Sequence, residues 1–497
     1  MRRFFLSILG VALAAGSFAQ IKPATQKTGA EEHRPQIHFS PKAHWVNDPN
    51  GMVYANGTYH LFFQYYPYGT TWGPMHWGHA TSTDLFHWQE QQIALYPDSL
   101  GYIFSGSAVL DQENTSGFGK DGKAPLIAIF THHDPVGERD NTGKFENQSI
   151  AYSLDEGQTW EKYTGNPVLK NPGIRDFRDP KVMWYAKEKK WVMTLATKDH
   201  ITFYSAPDLK NWKEESQFGL TIGAHGGVWE CPDLFPLTLN GKTHWVLIVN
   251  INPGGPNGGS ATQYFVGDFD GKTFTPVDTK IRWIDYGPDE YAGITWSNTG
   301  GRKIFLGWMS NWNYANEVPT KKWRSAMTIP RELSLKKVNG ELLVASTPVK
   351  ELESIVASVP PVSLSTGKAY SLPAESRLSI GAAKIENFTI TLSNTKGEKV
   401  LIGYDKAANQ YYIDRTQSGK IDFQKDFKGR FVAPRKTTLA VADVTLVIDA
   451  ASVELFADNG LTTMTGIFFP NETFNKITIS GSTELKAKLT TLQSIYK

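Results

Sequence analysis

The sequence predicts an all-β chain, a five-bladed β-propeller followed by a C-terminal β-sandwich, and three observations predict it. Helical periodicity is almost absent after the first twenty residues; the best candidate, residues 348–355, would give about two turns. A turn followed by an aromatic or β-branched strand recurs five times, starting at Gly57, Gly122, Lys189, Gly241 and Gly301. The starts lie about 50–70 residues apart, enough for a four-stranded blade with one generous loop. A second echo follows each of the first four copies in fixed order, at residues 82–88, 153–160, 205–212 and 268–274. Two repeating elements in one order make coincidence a poor explanation.

In chain order, residues 1–19 come first and read as a secretory signal. Arg2 and Arg3 precede an apolar run from Phe4 to Ala15, and Ser17-Phe18-Ala19 forms a small-x-small cleavage site before Gln20. The run is too short to span a bilayer, and no Cys stands at the junction to carry a lipid. Export as a soluble protein, periplasmic or secreted and without a membrane anchor, is the expectation. The propeller then occupies 34–338. A candidate linker, 339–360, contains Pro348 and Pro360. From 361 to 497 short alternating strands such as Phe388-Thr389-Ile390-Thr391-Leu392 and Ser452-Val453-Glu454-Leu455-Phe456 continue without the blade echo, separated by turns such as Asp458-Asn459-Gly460. That pattern suits a β-sandwich.

Composition is consistent with a large core and narrows the partners. Of 497 residues 40 % are hydrophobic, 20 % are charged and 62 are aromatic (15 Trp, 20 Tyr, 27 Phe), which excludes a disordered or fibrous chain. The net charge of +2 resides in Arg2 and Arg3, so the mature chain is formally neutral. A neutral chain argues against nucleic acid or an anionic membrane, both of which select a basic face. An uncharged substrate fits better. Cys231 is the only cysteine, so no intramolecular disulfide can form.

In a propeller the innermost strands converge on a central funnel, so polar residues just upstream of each turn-strand copy should meet there. Three such positions hold carboxylates: Asp48 in Trp45-Val46-Asn47-Asp48-Pro49-Asn50-Gly51, Asp179 in Phe177-Arg178-Asp179-Pro180, and Glu230 in Trp229-Glu230-Cys231-Pro232. Like charges at close range oppose joint ionisation, so one of the three must hold a proton near neutral pH. Glycoside cleavage uses that arrangement: one group protonates the leaving oxygen, one attacks the anomeric carbon, and a third can hold hydroxyls. Arg178, next to Asp179, is expected to keep that carboxylate ionised.

Blander readings compete. Asp before Pro or Gly is usually a turn residue, and Asp48-Pro49-Asn50-Gly51 alone would be one. Carboxylates in propeller loops often bind Ca²⁺, but such sites pack Asp and Asn at alternate positions and none of these segments does, so neither metal nor cofactor is expected. Among the aromatics, Phe62, Tyr65 and Trp77 read as blade packing. Gln64, Trp72 and Trp312, expected in loops or at polar edges, suit a sugar site where rings stack and amides read hydroxyls. His132-His133-Asp134 reads as a solvated turn after a strand. Cys231 lacks an evident His partner and reads as a small supporting residue.

The three motifs, in this order and company, resemble those of glycoside hydrolase family 32, the β-fructosidases: invertases, inulinases and levanases. Leu61-Phe62-Phe63-Gln64-Tyr65, Trp72-Gly73-Pro74-Met75-His76-Trp77-Gly78-His79 and Phe104-Ser105-Gly106-Ser107 fit the family too, and the likeness covers essentially the whole mature chain. The resemblance implies retaining hydrolysis of terminal β-fructofuranosyl bonds in levan, inulin or sucrose. By motif, Asp48 would be the nucleophile, Glu230 the acid/base and Asp179 the transition-state stabiliser. Asn47, Gln64, Trp72, Ser105 and Arg178 would shape the fructose subsite. Two rival classes are a sialidase, suggested by the Asp-box at residues 153–160, and a non-catalytic fructan-binding propeller. The first lacks an arginine triad, and the second would fit a chain that had lost one of the carboxylates.

Overall fold

The structure, a computed structural model, describes residues 31–481 and 485–496. The expected signal at 1–19 lies outside the described residues. Among these the regular structure is almost entirely strand, with one five-residue helix, Pro135–Arg139, and a 3₁₀ turn at Lys350–Ile355 where two helical turns were expected. None of the described helices is long and apolar enough to cross a membrane.

Five antiparallel sheets follow one another along the first two thirds of the chain. Their first strands are His44–Ala55, Tyr102–Leu110, Phe177–Tyr185, Val228–Leu239 and Tyr291–Thr295. Each of these packs against the first strand of the next sheet, and the last returns to the first, so the five form a ring around a central axis. Trp323–Arg324 closes the ring by pairing in parallel with His44 and Trp45. The five turn-strand copies are the second strands of these blades: Thr58–Tyr66, Leu126–His133, Lys190–Thr197, Lys242–Asn252 and Ile304–Met309. Leu126–His133 and Ile304–Met309 are buried at every position because neighbouring blades cover both faces.

Residues 339–360, expected as a linker, contain the outermost strand of the fifth sheet, Glu341–Pro348, paired with Arg331–Val338. The chain leaves that blade after Pro348 and reaches the sandwich through Lys350–Ile355. Two six-stranded sheets then stack face to face. Phe388–Ser393 alternates buried and half-buried residues, with Phe388, Ile390 and Leu392 turned into the shared core. Ser452–Ala457 is buried throughout because it also packs on the propeller, where Phe456 joins a cluster with Trp296 and Leu352.

Every inner strand carries the same irregularity. Asn47-Asp48, Phe104-Ser105, Asp179-Pro180, Cys231-Pro232 and Ala292-Gly293 each place two residues opposite one on the neighbouring strand. These β-bulges bend the strand and re-aim its side chains. Proline, which cannot donate to a ladder, fits at or beside the bulge in three blades. Asp179, Cys231 and Ala292 adopt positive φ values of 65°, 41° and 55°, which L-residues take up at a cost. In the second blade the backbones approach so closely that a Cβ on Gly106 would lie 2.0 Å from the Ile129 carbonyl oxygen.

Candidate active site

The bulges bring the three carboxylates to one place. Asp48, Asp179 and Glu230 line a cavity of about 370 Å³ together with Asn47, Gln64, Trp72, Ser105, Arg178 and Trp312, so all nine residues singled out in the sequence meet there. Gln64, expected in a loop or at a polar edge, is buried in strand Thr58–Tyr66, opposite the first bulge, and its Nε2 donates to the Ile103 carbonyl at 3.0 Å. Trp72 is 39 % exposed at the rim, where the Asn316 side chain accepts from its backbone N–H at 2.9 Å. Trp312 packs on Trp45 and Trp308, leaving part of its ring on the cavity.

Each carboxylate has a different set of partners. Ser105 Oγ donates to Asp48 Oδ2 at 2.6 Å and Asn47 Nδ2 to Oδ1 at 2.9 Å, while Trp45 Nε1 donates to Asn47 Oδ1 at 2.7 Å and fixes that amide. The Cys231 N–H donates to Asp179 Oδ2 at 3.0 Å, and its thiol lies 3.5 Å from Asp48 Oδ2 and 3.6 Å from Asp179 Oδ2. Burial and the surrounding carboxylates push that thiol far up in pKa, so it stays neutral between them. Glu230 accepts from Arg178 Nε and Nη2 at 3.1 and 3.0 Å and from the Tyr291 hydroxyl.

Arg178 does not pair with Asp179, which corrects the expectation from adjacency. The bulge turns the two side chains apart, and the guanidinium meets Glu230, Glu146 and Asp176 instead. Burial pushes the Asp179 carboxyl up to about 8; the charge of Arg178 opposes the rise, and Glu230 and Asp48 add to it. Burial raises Glu230 as well, with Arg178 and the Tyr291 hydroxyl pulling it down and Asp48 pushing it up. A proton therefore resides among these carboxyls near neutral pH.

The sequence reading missed several residues. Tyr291 precedes Gly301 by ten positions, the offset that located the carboxylates, but it is not acidic and passed unnoticed. Glu146 comes from a third strand, Glu146–Ser153, where that rule does not reach. His132 and His133, expected in a solvated turn, are buried at the end of Leu126–His133, because the helix capped by Asp134 begins only after them. His133 lines the cavity and stacks on Phe104 at 4.2 Å.

Comparison with known proteins places this geometry. The family model for the glycosyl hydrolases family 32 N-terminal domain matches residues 38–346, and that for the family 32 C terminal matches residues 336–495. The levanase of Bacillus subtilis is 46 % identical over 94 % of this chain and 71 % of its own length. The extracellular exo-inulinase inuE of Aspergillus ficuum is 42 % identical over 89 % of this chain and 90 % of its own. A crystal structure of exo-inulinase from Aspergillus awamori superposes with a TM-score of 0.88 at 38 % identity, covering 94 % of this chain and 99 % of that one. A ring of five bulged blades with three carboxyls on its axis, followed by a sandwich and matched by both family models, makes the chain a glycoside hydrolase belonging to glycosyl hydrolase family 32.

Proposed function

We propose that this enzyme is an exo-acting, retaining β-fructosidase that trims fructans such as levan or inulin from the non-reducing end, releases fructose, and also cleaves sucrose. One observation carries the reading: three carboxyls, at or directly before bulges of three inner strands, face one cavity with separate hydrogen-bond sets. The similarity to a levanase and to exo-inulinases supports fructan as the substrate class. A compact cavity on the propeller axis, rimmed by Trp72 and Trp312, suits a chain end better than a chain interior.

In this reading Asp48, its carboxylate oriented by Ser105 and Asn47, attacks C2 of the terminal fructosyl unit. Glu230 gives its proton to the departing glycosidic oxygen. A covalent fructosyl-enzyme results, and Glu230 then takes a proton from the water that hydrolyses it. Asp179, fixed by the Cys231 N–H, holds fructose hydroxyls as oxocarbenium character develops. Asn47, Gln64, Trp72, Ser105, Arg178 and Trp312 shape the pocket around that fructose.

Exo-inulinase relatives from Aspergillus and Meyerozyma bear extracellular names. With the charged and apolar start of the sequence they support export, to the periplasm or beyond the cell. The function is tested by incubating the purified enzyme with levan, inulin and sucrose and following products by chromatography. Free fructose from the first time point is the expected result. Early oligomers without fructose would overturn exo action, and no cleavage of any of the three would overturn the substrate class.

A further inference from the structure

Arg178 is divided between two sides. Its Nε and Nη2 face Glu230 Oε1 at 3.1 and 3.0 Å, while Nη1 is taken by Asp176 Oδ1 at 2.8 Å and by Glu146 Oε1 and Oε2 at 3.2 and 3.3 Å. Glu146 is 1 % exposed and is itself held rigidly. The Phe177 N–H donates to its Oε2 at 2.7 Å, and His133 Nδ1 lies 3.3 Å from Oε1, with His133 Nε2 tied to Glu138 at 3.0 Å. A buried carboxyl costs a great deal unless it is charged and paired. Burial works to raise the pKa of Glu146, but Arg178, His133 and the Phe177 N–H outweigh it and hold it below the ordinary range.

A guanidinium bound to Glu230 alone would fix that group as a carboxylate, and a carboxylate cannot protonate a leaving group. We propose that Glu146, assisted by Asp176, is a positioning residue for the acid/base, holding Nη1 of Arg178 so that one cation is shared among three carboxyls and only its far edge meets Glu230. This rests on the reading of Glu230 as the acid/base. Two consequences of removing the Glu146 charge have the same sign: Arg178 is freed to favour ionised Glu230, and a negative charge that disfavours ionisation disappears. The other groups facing Glu230 and Arg178 are Tyr291, Asp48, Asp179 and Asp176, and those facing Glu146 are His133 and Arg178. All remain in a Glu146→Gln variant.

The test uses the full chain with Glu146→Gln, Glu146→Asp and Asp176→Asn. For each, kcat and KM are measured against pH on inulin and on β-D-fructofuranosyl fluoride, whose leaving group needs no proton, with thermal unfolding recorded alongside. In Glu146→Gln the alkaline limb of kcat on inulin should move to lower pH by about 1 unit. On that limb the shift is a loss of about tenfold at fixed pH. KM and turnover of the fluoride should change little. Asp176→Asn should shift the limb the same way by less, and Glu146→Asp should restore most of it. An unmoved limb in the folded variants, or equal losses on both substrates, would overturn the proposal. If Glu146→Gln does not fold, Asp176→Asn decides by the same readings. Failure of the underlying reading looks different: Glu230→Ala would then retain its activity on inulin.

Discussion

Two buried clusters of acids and arginines, one at the funnel and one between propeller and sandwich, use the same residue types to opposite ends. At the domain interface Arg331 Nε donates to Glu454 at 3.0 Å, its Nη1 to Asp285 at 2.9 Å and its Nη2 to Thr465 Oγ1 at 2.7 Å. Arg415 Nη1 pairs with Asp289 at 2.6 Å, and His38 bridges Asp449 and Glu454 at 2.7 and 2.8 Å. Burial disfavours a charge on His38, but hydrogen bonds from its ring to those two carboxylates outweigh it and raise its pKa to about 9. Three cations thus face Asp285, Asp289, Asp449 and Glu454. In the funnel one guanidinium, Arg178, serves the neighbourhood of Asp48, Asp176, Asp179, Glu146 and Glu230. The neighbouring Glu290, raised to about 8 chiefly by burial, adds no charge near neutral pH, and this near-balance makes the interface a fastening. Excess negative charge open to a cavity leaves a proton shared among carboxyls, which is what an acid catalyst requires.

The contrast can be broken at either end. Arg331→Ala should have the largest effect on stability: it strands Asp285 without its cation and leaves Glu454 with His38 alone, and breaking such a pair costs about 3–5 kcal/mol. Denaturant unfolding measures this. Activity per folded molecule should persist, because Arg331 is not among the residues lining the cavity. A loss within 1 kcal/mol would show that the interface charges are not coupled as described.

Asp179→Asn should do the reverse, on a smaller scale. The folded Asp179 carboxyl keeps its proton up to about pH 8, whereas an unfolded one releases it near pH 3.9, about the reference value. Between these limits the folded state binds more protons, so stability falls as pH rises. The asparagine variant escapes that fall. Its advantage should grow with each unit from pH 4 to pH 8, while turnover collapses. Thermal unfolding across that range checks the sign; an advantage that shrinks with rising pH would contradict it.

Blade number and the three carboxyls of the funnel were legible because each left a local mark. The turn before every second strand is written in glycine, lysine and aromatic residues, and the bulges carry proline directly after Asp48, Asp179 and Cys231. What the sequence hid was pairing in space. Adjacency suggested Arg178 for Asp179, but the bulge separates them and the guanidinium reaches Glu230, 52 residues away. Glu146 sits among Phe145, Asn147 and Gln148 with no turn or proline to mark it, and its partner Arg178 is 32 residues on. The end of the last blade was hidden for another reason: Glu341–Pro348 is an outer strand that buries only its centre, Leu343–Ser346, and the proline that ends it reads as a linker residue.

The division of labour between Asp48 and Glu230 is tested most directly by azide rescue of two alanine variants on β-D-fructofuranosyl fluoride. Glu230→Ala should lose on the order of 10²–10⁴ in rate on fructans, the usual worth of general acid–base catalysis, and much less on the fluoride. Azide should then accelerate turnover of the fluoride and give fructosyl azide of retained configuration, because it attacks the fructosyl-enzyme without a base. Asp48→Ala forms no such intermediate, so any azide product must be inverted. The opposite pattern, or near-parental fructan hydrolysis by either variant, would contradict the assignment.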